Sequence, residues 1–266
     1  MLKKLNYTPI NEEPVQQSSS IILSLDDNNN VRTKEPENKN KCNTIVPTKI
    51  IDNFFTQEEI DYLLQLQIDY PYSNGKTIGL DPQLPKDFLE REIFSFDDEP
   101  HFQPAIQMMR QKIDRWFGPE VIIGGWHILT SYFPYRAHSD AVFGEYGFDE
   151  NNYAAWTLII PLDDYDTHTI VFDQHSFTSK LVPEYVKHHE PIDIIDEYTY
   201  NKYLSLEATE SMRYFSVDTV YKWRKAKCFA ASRYKFHASD NHIKNGVPMK
   251  RGVIVWTAAP NDFLAK

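Results

Sequence analysis

The stretch VIIGGWHILTSYFPYRAHSD (121–140) runs from strand-forming residues into a histidine and an aspartate one residue apart. An extended backbone points positions i and i+2 to one face, so His138 and Asp140 are expected to project side by side. An imidazole and a carboxylate held that way can occupy two adjacent corners of a metal's coordination shell. A 2-His-1-carboxylate site then needs one more histidine from elsewhere, and it leaves positions open for substrate and oxygen.

The chain around this stretch is rich in further strands. YAAWTLIIPL (153–162), HTIVFD (168–173), AKCFAASRYKF (226–236) and GVIVWTA (252–258) each read as one strand. Short strands between turn-rich loops predict an antiparallel sandwich or barrel. Residues 174–222 break the rhythm, and an insertion of that size predicts a wall or lid over a site. Upstream, KIIDNFF (49–55) reads as a strand, and Thr56 opens a helix through a capping box with Glu59, Phe55 and Ile60 being placed as a hydrophobic staple. Ile60, Leu63, Leu64 and Ile68 form one apolar stripe, and a second helix over about 103–117 carries Ile106, Met109, Ile113 and Trp116 before Gly118-Pro119 stops it. Both helices are expected to cover one side of the sheet.

Residues 1–46 differ in texture. QQSSS, DDNNN and KEPENKNK cannot bury enough apolar surface to offset ordering entropy, which predicts a largely disordered segment before a domain over 47–266. SIILSL (20–25) is the exception and is expected to add an edge strand. The net charge of −10 and pI near 5.4 argue against a nucleic-acid surface, since KWRKAK (222–227) is the one basic cluster. Sixteen Tyr and sixteen Phe suit a β-rich interior. Cys42 and Cys228 lie far apart, which gives no disulfide framework and no cysteine metal site. MLKKLNYTPINEE lacks the apolar core of a signal peptide and no run is long enough to span a bilayer, so a soluble cytoplasmic protein is expected.

The third ligand has its candidate in FAASRYKFHASDNHIKNGVPMKRGVIVW (229–256). A strand-like run leads into His237, a polar turn follows, and Lys250-Arg251 opens the last strand. His242 is the rival, lying in the turn DNHIKNG. A guanidinium at Arg251 can grip a carboxylate bidentately, which a metal site alone does not need. Lys250 takes that role if the strand register shifts by one. Two histidines, a carboxylate and a cation one strand away specify an iron that binds a keto-acid cosubstrate.

In this order of parts the chain resembles the Fe(II)- and 2-oxoglutarate-dependent dioxygenases, in particular their prolyl-hydroxylase-like and phytanoyl-hydroxylase-like members. The resemblance covers roughly 47–260 and rests on VPTKIIDNFFTQEEIDYLL, SYFPYRAHSD and SRYKFHAS…KRGVIVW. It implies a mainly β fold with flanking helices around a double-stranded β-helix (jelly-roll, cupin-like) core. It implies Fe(II) on His138, Asp140 and His237, with Arg251 holding the far carboxylate of 2-oxoglutarate and Tyr132 donating a hydrogen bond to that cosubstrate. The implied reaction is hydroxylation of a C–H bond in a small-molecule or peptide substrate, with release of succinate and CO2. Asp140 argues against halogenation, because halogenating relatives lack that carboxylate. The competing function is a jelly-roll binding module, for carbohydrate or another ligand, in which the HSD triplet is accidental. His127, His168 and His188-His189 read as strand or surface residues, and Trp156 and Trp256 as core aromatics. The acidic stretches at 141–152 and 174–222 point to a polar or cationic substrate.

Overall fold

The strands downstream of Gly118 build two antiparallel sheets. The computed structural model describes residues 23–25, 31–33, 45–71, 74–78, 87–96, 99–140, 152–177 and 181–263. The chain divides into the units Met1–Lys41 and Cys42–Lys266. In the first unit, β1 (Leu23–Leu25) pairs antiparallel with β2 (Val31–Thr33), so the described end of SIILSL finds its partner locally in a two-stranded ladder. The rest of the segment expected to be disordered, up to residue 44, lies outside the described residues.

In the second unit the strands are β3 (Lys49–Ile51), β4 (Asn74–Ile78), β5 (Leu89–Ser95), β6 (Ile122–Ser131), β7 (Asn152–Pro161), β8 (His168–His175), β9 (Val217–Lys222), β10 (Cys228–Ser232), β11 (Lys235–Ser239) and β12 (Lys250–Pro260). The large sheet runs β3-β10-β7-β12-β6-β5-β4 and the small sheet β11-β8-β9. The segment at His138 joins the small sheet through an antiparallel bridge to His237. Counted from β6 with that segment as the second strand, the large sheet holds the first, eighth, third and sixth strands. The small sheet holds the second, seventh, fourth and fifth. This interleaving is the jelly roll, a mainly β fold with helices at its flank.

Strand β7 shows how the layers form. Trp156, Leu158 and Ile160 face an outer core shared with the helices, whereas Ile159 faces an inner core with Val171, Tyr221, Trp223 and Phe229. Period two on a strand covered on both faces makes almost every β7 residue buried. The outer face is covered by α1 (Gln57–Asp69) and α2 (Gln103–Phe117). Thr56 caps α1 in a full capping box with Glu59, and both Phe55 and Ile60 are buried. Two stripe residues depart from expectation. Ile68 is 70% exposed, because at about 100° per residue it lies on the far side from Ile60, Leu63 and Leu66, which are buried. Trp116 is also exposed, and Phe117, one step round α2, takes its place in the core.

Other elements differ from the sequence reading. AKCFAASRYKF is two strands, β10 and β11, which part at Arg233-Tyr234 and enter different sheets. Every position of β10 is buried, so no alternation marks its end. β4 and β5 extend the large sheet past β6 and were not expected; LEREIFS is charged enough to read as loop. β9 lies inside the expected insertion, whose remainder carries α3 (Val182–Val186), α4 (Glu197–Tyr203) and α5 (Thr209–Met212). This remainder packs Val182, Leu204, Met212 and Phe215 against Ile170 and Phe172 of β8 and Phe236 and Ala238 of β11. Those strand residues alternate with inward-facing Val171 and with His237, so the insertion backs the outer face of the small sheet.

Candidate metal centre

His138 and His237 meet because their backbones form a bonded pair. His138 N–H donates to the His237 carbonyl at 3.0 Å, and His237 N–H donates back at 2.8 Å. An antiparallel pair of this kind sends both side chains to one face. The ring centroids are 4.5 Å apart.

Asp140 is fixed from behind. Its N–H donates to the Arg233 carbonyl at 3.0 Å, and its own carbonyl accepts from Arg233 Nε at 3.2 Å and from an Arg233 terminal nitrogen at 2.9 Å. Thr157 Oγ1 donates to Asp140 Oδ2 at 2.5 Å. Arg233 is 1% exposed, a buried cation serving backbone carbonyls, including that of Thr257 at 3.4 Å. Its one signal in the sequence is an arginine directly after the small and apolar run CFAAS.

The orientation of the rings follows from carbonyl oxygens, which only accept. His138 Nδ1 lies 2.6 Å from the Arg136 carbonyl and His237 Nδ1 lies 3.3 Å from the Lys235 carbonyl. Each ring proton therefore sits on Nδ1, and each Nε2 lone pair points forward. His138 Nε2 is 3.8 Å from Asp140 Oδ1, and His237 Nε2 is 3.6 Å from Asp140 Oδ2. The protein packed around His138 pushes it down to about 4, so the imidazole is neutral at pH 7. Burial alone would raise Asp140, but its surroundings, the Thr157 hydroxyl and the Arg233 cation among them, outweigh it and hold the carboxyl below its usual range. One donor atom from each residue falls in a set all within 4.8 Å of one another. Proton-free donors facing one point repel each other unless a cation sits between them, and two imidazoles with one carboxylate suit a divalent transition metal with open positions.

Of the two rival histidines, the structure brings His237 to this set. His242 is fully buried in its turn, with Nδ1 2.8 Å from the Val247 carbonyl. The two candidate cations fall on different faces of β12. Arg251 lies on the opposite face of β12 from the triad, on the side of Val253 and Val255, and pairs with Asp163 at 3.2 Å. Tyr132 also misses the triad: its hydroxyl donates to Glu92 at 2.9 Å, and Glu92 pairs with Thr130, which stands opposite Arg251. The residue on the triad's face is Lys250. Its Nζ donates to Ser239 Oγ, two positions along β11 from His237, and lies 4.4 Å over the Trp223 ring. Trp223 can lie there because residue 252 is glycine; a Cβ at that position would come 3.3 Å from the indole and 3.1 Å from the Ile160 carbonyl. Burial pushes Lys250 down to about 8, with Asp240 pulling the other way. The one-residue alternation of a strand decides between Lys250 and Arg251, and sequence could not fix its phase.

No family model matches the sequence, and no curated protein sequence matches it. Among solved structures, the chain is similar to the epimerase SnoN in complex with Fe3+, alpha-ketoglutarate and nogalamycin RO, at 11% identity and a TM-score of 0.46 over 80% of each chain. It is similar to the carbocyclase SnoK from nogalamycin biosynthesis, at 10% identity and 0.49 over 80% of this chain and 79% of that one. A Trichoplax adhaerens prolyl hydroxylase, in complex with a peptide fragment of the hypoxia inducible factor oxygen degradation domain, matches at 12% identity and 0.43 over 82% and 86%. The jelly roll and its three facing donors stand on this chain's own strand order and geometry.

Proposed function

We propose that the chain is an Fe(II)- and 2-oxoglutarate-dependent oxygenase acting on a C–H bond of a small-molecule or peptide substrate, with hydroxylation as the outcome. The observation that supports it most is the pairing of His138, Asp140 and His237 with a buried lysine on the same face. Lys250 reaches Ser239, and Ser239 lies two steps along the strand from His237, roughly 7 Å away. That matches the reach of a five-carbon dicarboxylate bound to a metal at one end and to an ammonium at the other.

In this reading His138, Asp140 and His237 hold Fe(II), and Lys250 with Ser239 binds the distal carboxylate of 2-oxoglutarate. Iron with this cosubstrate supplies activation of O2 coupled to decarboxylation to succinate and CO2. The protein's own part is positional. The Arg136 and Lys235 carbonyls keep both imidazoles in the tautomer that presents Nε2. Arg233 and Thr157 keep Asp140 ionised and aimed. Ile159, Val171, Phe229 and Ile254 line the apolar interior of the barrel and exclude water from it.

The test is an anaerobic titration with Fe(II) and then 2-oxoglutarate, following the visible metal-to-ligand charge-transfer band. Wild type, His242→Ala and Arg251→Met are expected to develop the band. His237→Ala should bind no iron, and Lys250→Met should bind iron with little 2-oxoglutarate. Folded wild-type protein that gives no band returns the chain to the binding-module reading.

A further inference from the structure

The cations on the inner side of the large sheet are more numerous than one cosubstrate needs. Lys250 of β12 stands opposite Ser131 of β6, and Ser131 stands opposite Arg91 of β5. Residues directly opposite in a ladder share a face, so Lys250, Ser131 and Arg91 form one row across three strands. Lys250 and Arg91 are therefore two strand spacings apart, roughly 10 Å between backbones. Their side chains also turn to different partners, Lys250 to Ser239 and Trp223, Arg91 to Tyr135 and Glu90.

Their surroundings separate their roles. Lys250 is sealed in the barrel at 4% exposure, whereas the Arg91 side chain is 25% exposed. Arg91 also lies beside the triad. One terminal nitrogen donates to Tyr135 Oη at 2.5 Å, its guanidinium carbon is 4.8 Å from the Tyr135 ring centroid, and that ring is 5.8 Å from the His138 ring. The other terminal nitrogen is 3.3 Å from Glu90, and Nε is buried with no acceptor among the described residues. Burial pushes the Tyr135 hydroxyl up to about 12, so it keeps its proton while accepting from Arg91. Arginine and phenol together offer two donors directed from one place, the pattern that matches the two oxygens of a carboxylate.

We propose that Arg91, braced by Tyr135, binds a carboxylate group of the substrate and so sets which part of that substrate lies next to His138. This rests on the oxygenase reading and replaces the expectation of a cationic substrate, which was drawn from acidic stretches, one of which (141–152) lies almost wholly outside the described residues. The sheet row fixes the order of the two anions: cosubstrate at Lys250, substrate carboxylate at Arg91.

The test uses the full chain, anaerobic, with Fe(II) and 2-oxoglutarate, and two probes of nearly one shape, phenylacetate and phenylacetamide. Binding is read by calorimetry and the charge-transfer band is recorded on the same samples. Wild type should bind the acid at least tenfold more tightly than the amide. Arg91→Gln should bring the acid down to the amide's level while keeping the band, Arg91→Lys should retain part of the preference, and Glu90→Gln should strengthen acid binding by removing a competing charge. Equal binding of the two probes, no binding of phenylacetate, or an Arg91→Gln variant that keeps the acid preference overturns the proposal. Loss of the band in Arg91→Gln overturns it too, by giving Arg91 to the cosubstrate. A wild-type protein without the band refutes the oxygenase reading, and the acid preference is then judged by calorimetry alone.

Discussion

Lys250 and Arg251 are neighbours in sequence and carry the same charge, yet the strand sends them to opposite sides of the large sheet. Lys250 enters the barrel, loses its water and gains Ser239, Trp223 and the field of Asp240. Arg251 stays at the outer face against Asp163. The same division separates the two coverings of the barrel. Helices α1 and α2 back the large sheet, and residues 181–216 back the small one. Position relative to a face, more than residue type, assigns the role.

The comparison of the two coverings breaks first under deletion. Removing 181–216 uncovers Phe172, Phe236 and Ala238, so soluble folded protein should be lost altogether, as judged by circular dichroism and a cooperative melt. A lid would have come away with the fold intact. Arg233→Met comes next: it leaves the carbonyls of Asp140 and Thr257 without their buried donor, and it is expected to cost about 1–3 kcal/mol in denaturant unfolding. Surviving folded protein should also bind Fe(II) more weakly, because Asp140 loses its support.

The pair at the start of β12 gives a sharper contrast. Lys250→Met should weaken 2-oxoglutarate binding by about 10- to 100-fold, the worth of a charge-assisted hydrogen bond, and Arg251→Met should change it by less than about twofold. Titration of Lys250 supplies the pH form of the same experiment. Its ammonium is present below about 8 and is lost above it, so 2-oxoglutarate affinity should fall as pH rises past about 8. In folding the sign is opposite. The unfolded lysine keeps its proton up to about 10.5, so between about 8 and 10.5 the unfolded chain binds more protons and ligand-free stability gains from rising pH. Lys250→Met should abolish both trends. The smallest effect belongs to the outer layer: Glu59→Ala breaks the α1 capping box and should lower stability by about 1 kcal/mol, measured by urea unfolding.

Much of this was legible from local pattern. The capping box at Thr56, the helix ending at Gly118 and the strands over β6, β7, β8 and β12 follow from periodicity and punctuation, which are short-range. His138, Asp140 and His237 could be named because period two and a strand-like run lead into each. That Arg251 and Tyr132 lie away from the triad's face could not be read, because it requires the phase of a strand against a core, a long-range property. β9 and the β10–β11 break stayed hidden for a related reason. A strand buried throughout has no alternation, and one lying within a polar stretch has no contrast. Arg91 was missed because β5 itself was missed.

The hydrogen-bonded pair His138–His237 has a topological consequence. These residues belong to the second and seventh strands of the barrel, and the described elements between them are barrel wall and its backing. An ion gripped by both side chains acts as a cross-link that closes a loop of about 100 residues, for which chain-entropy accounting gives on the order of 4–5 kcal/mol. The same atoms that assemble a reaction centre would then serve as a clasp, and chelation would be felt as a loosening of the whole jelly roll before it was felt as lost chemistry.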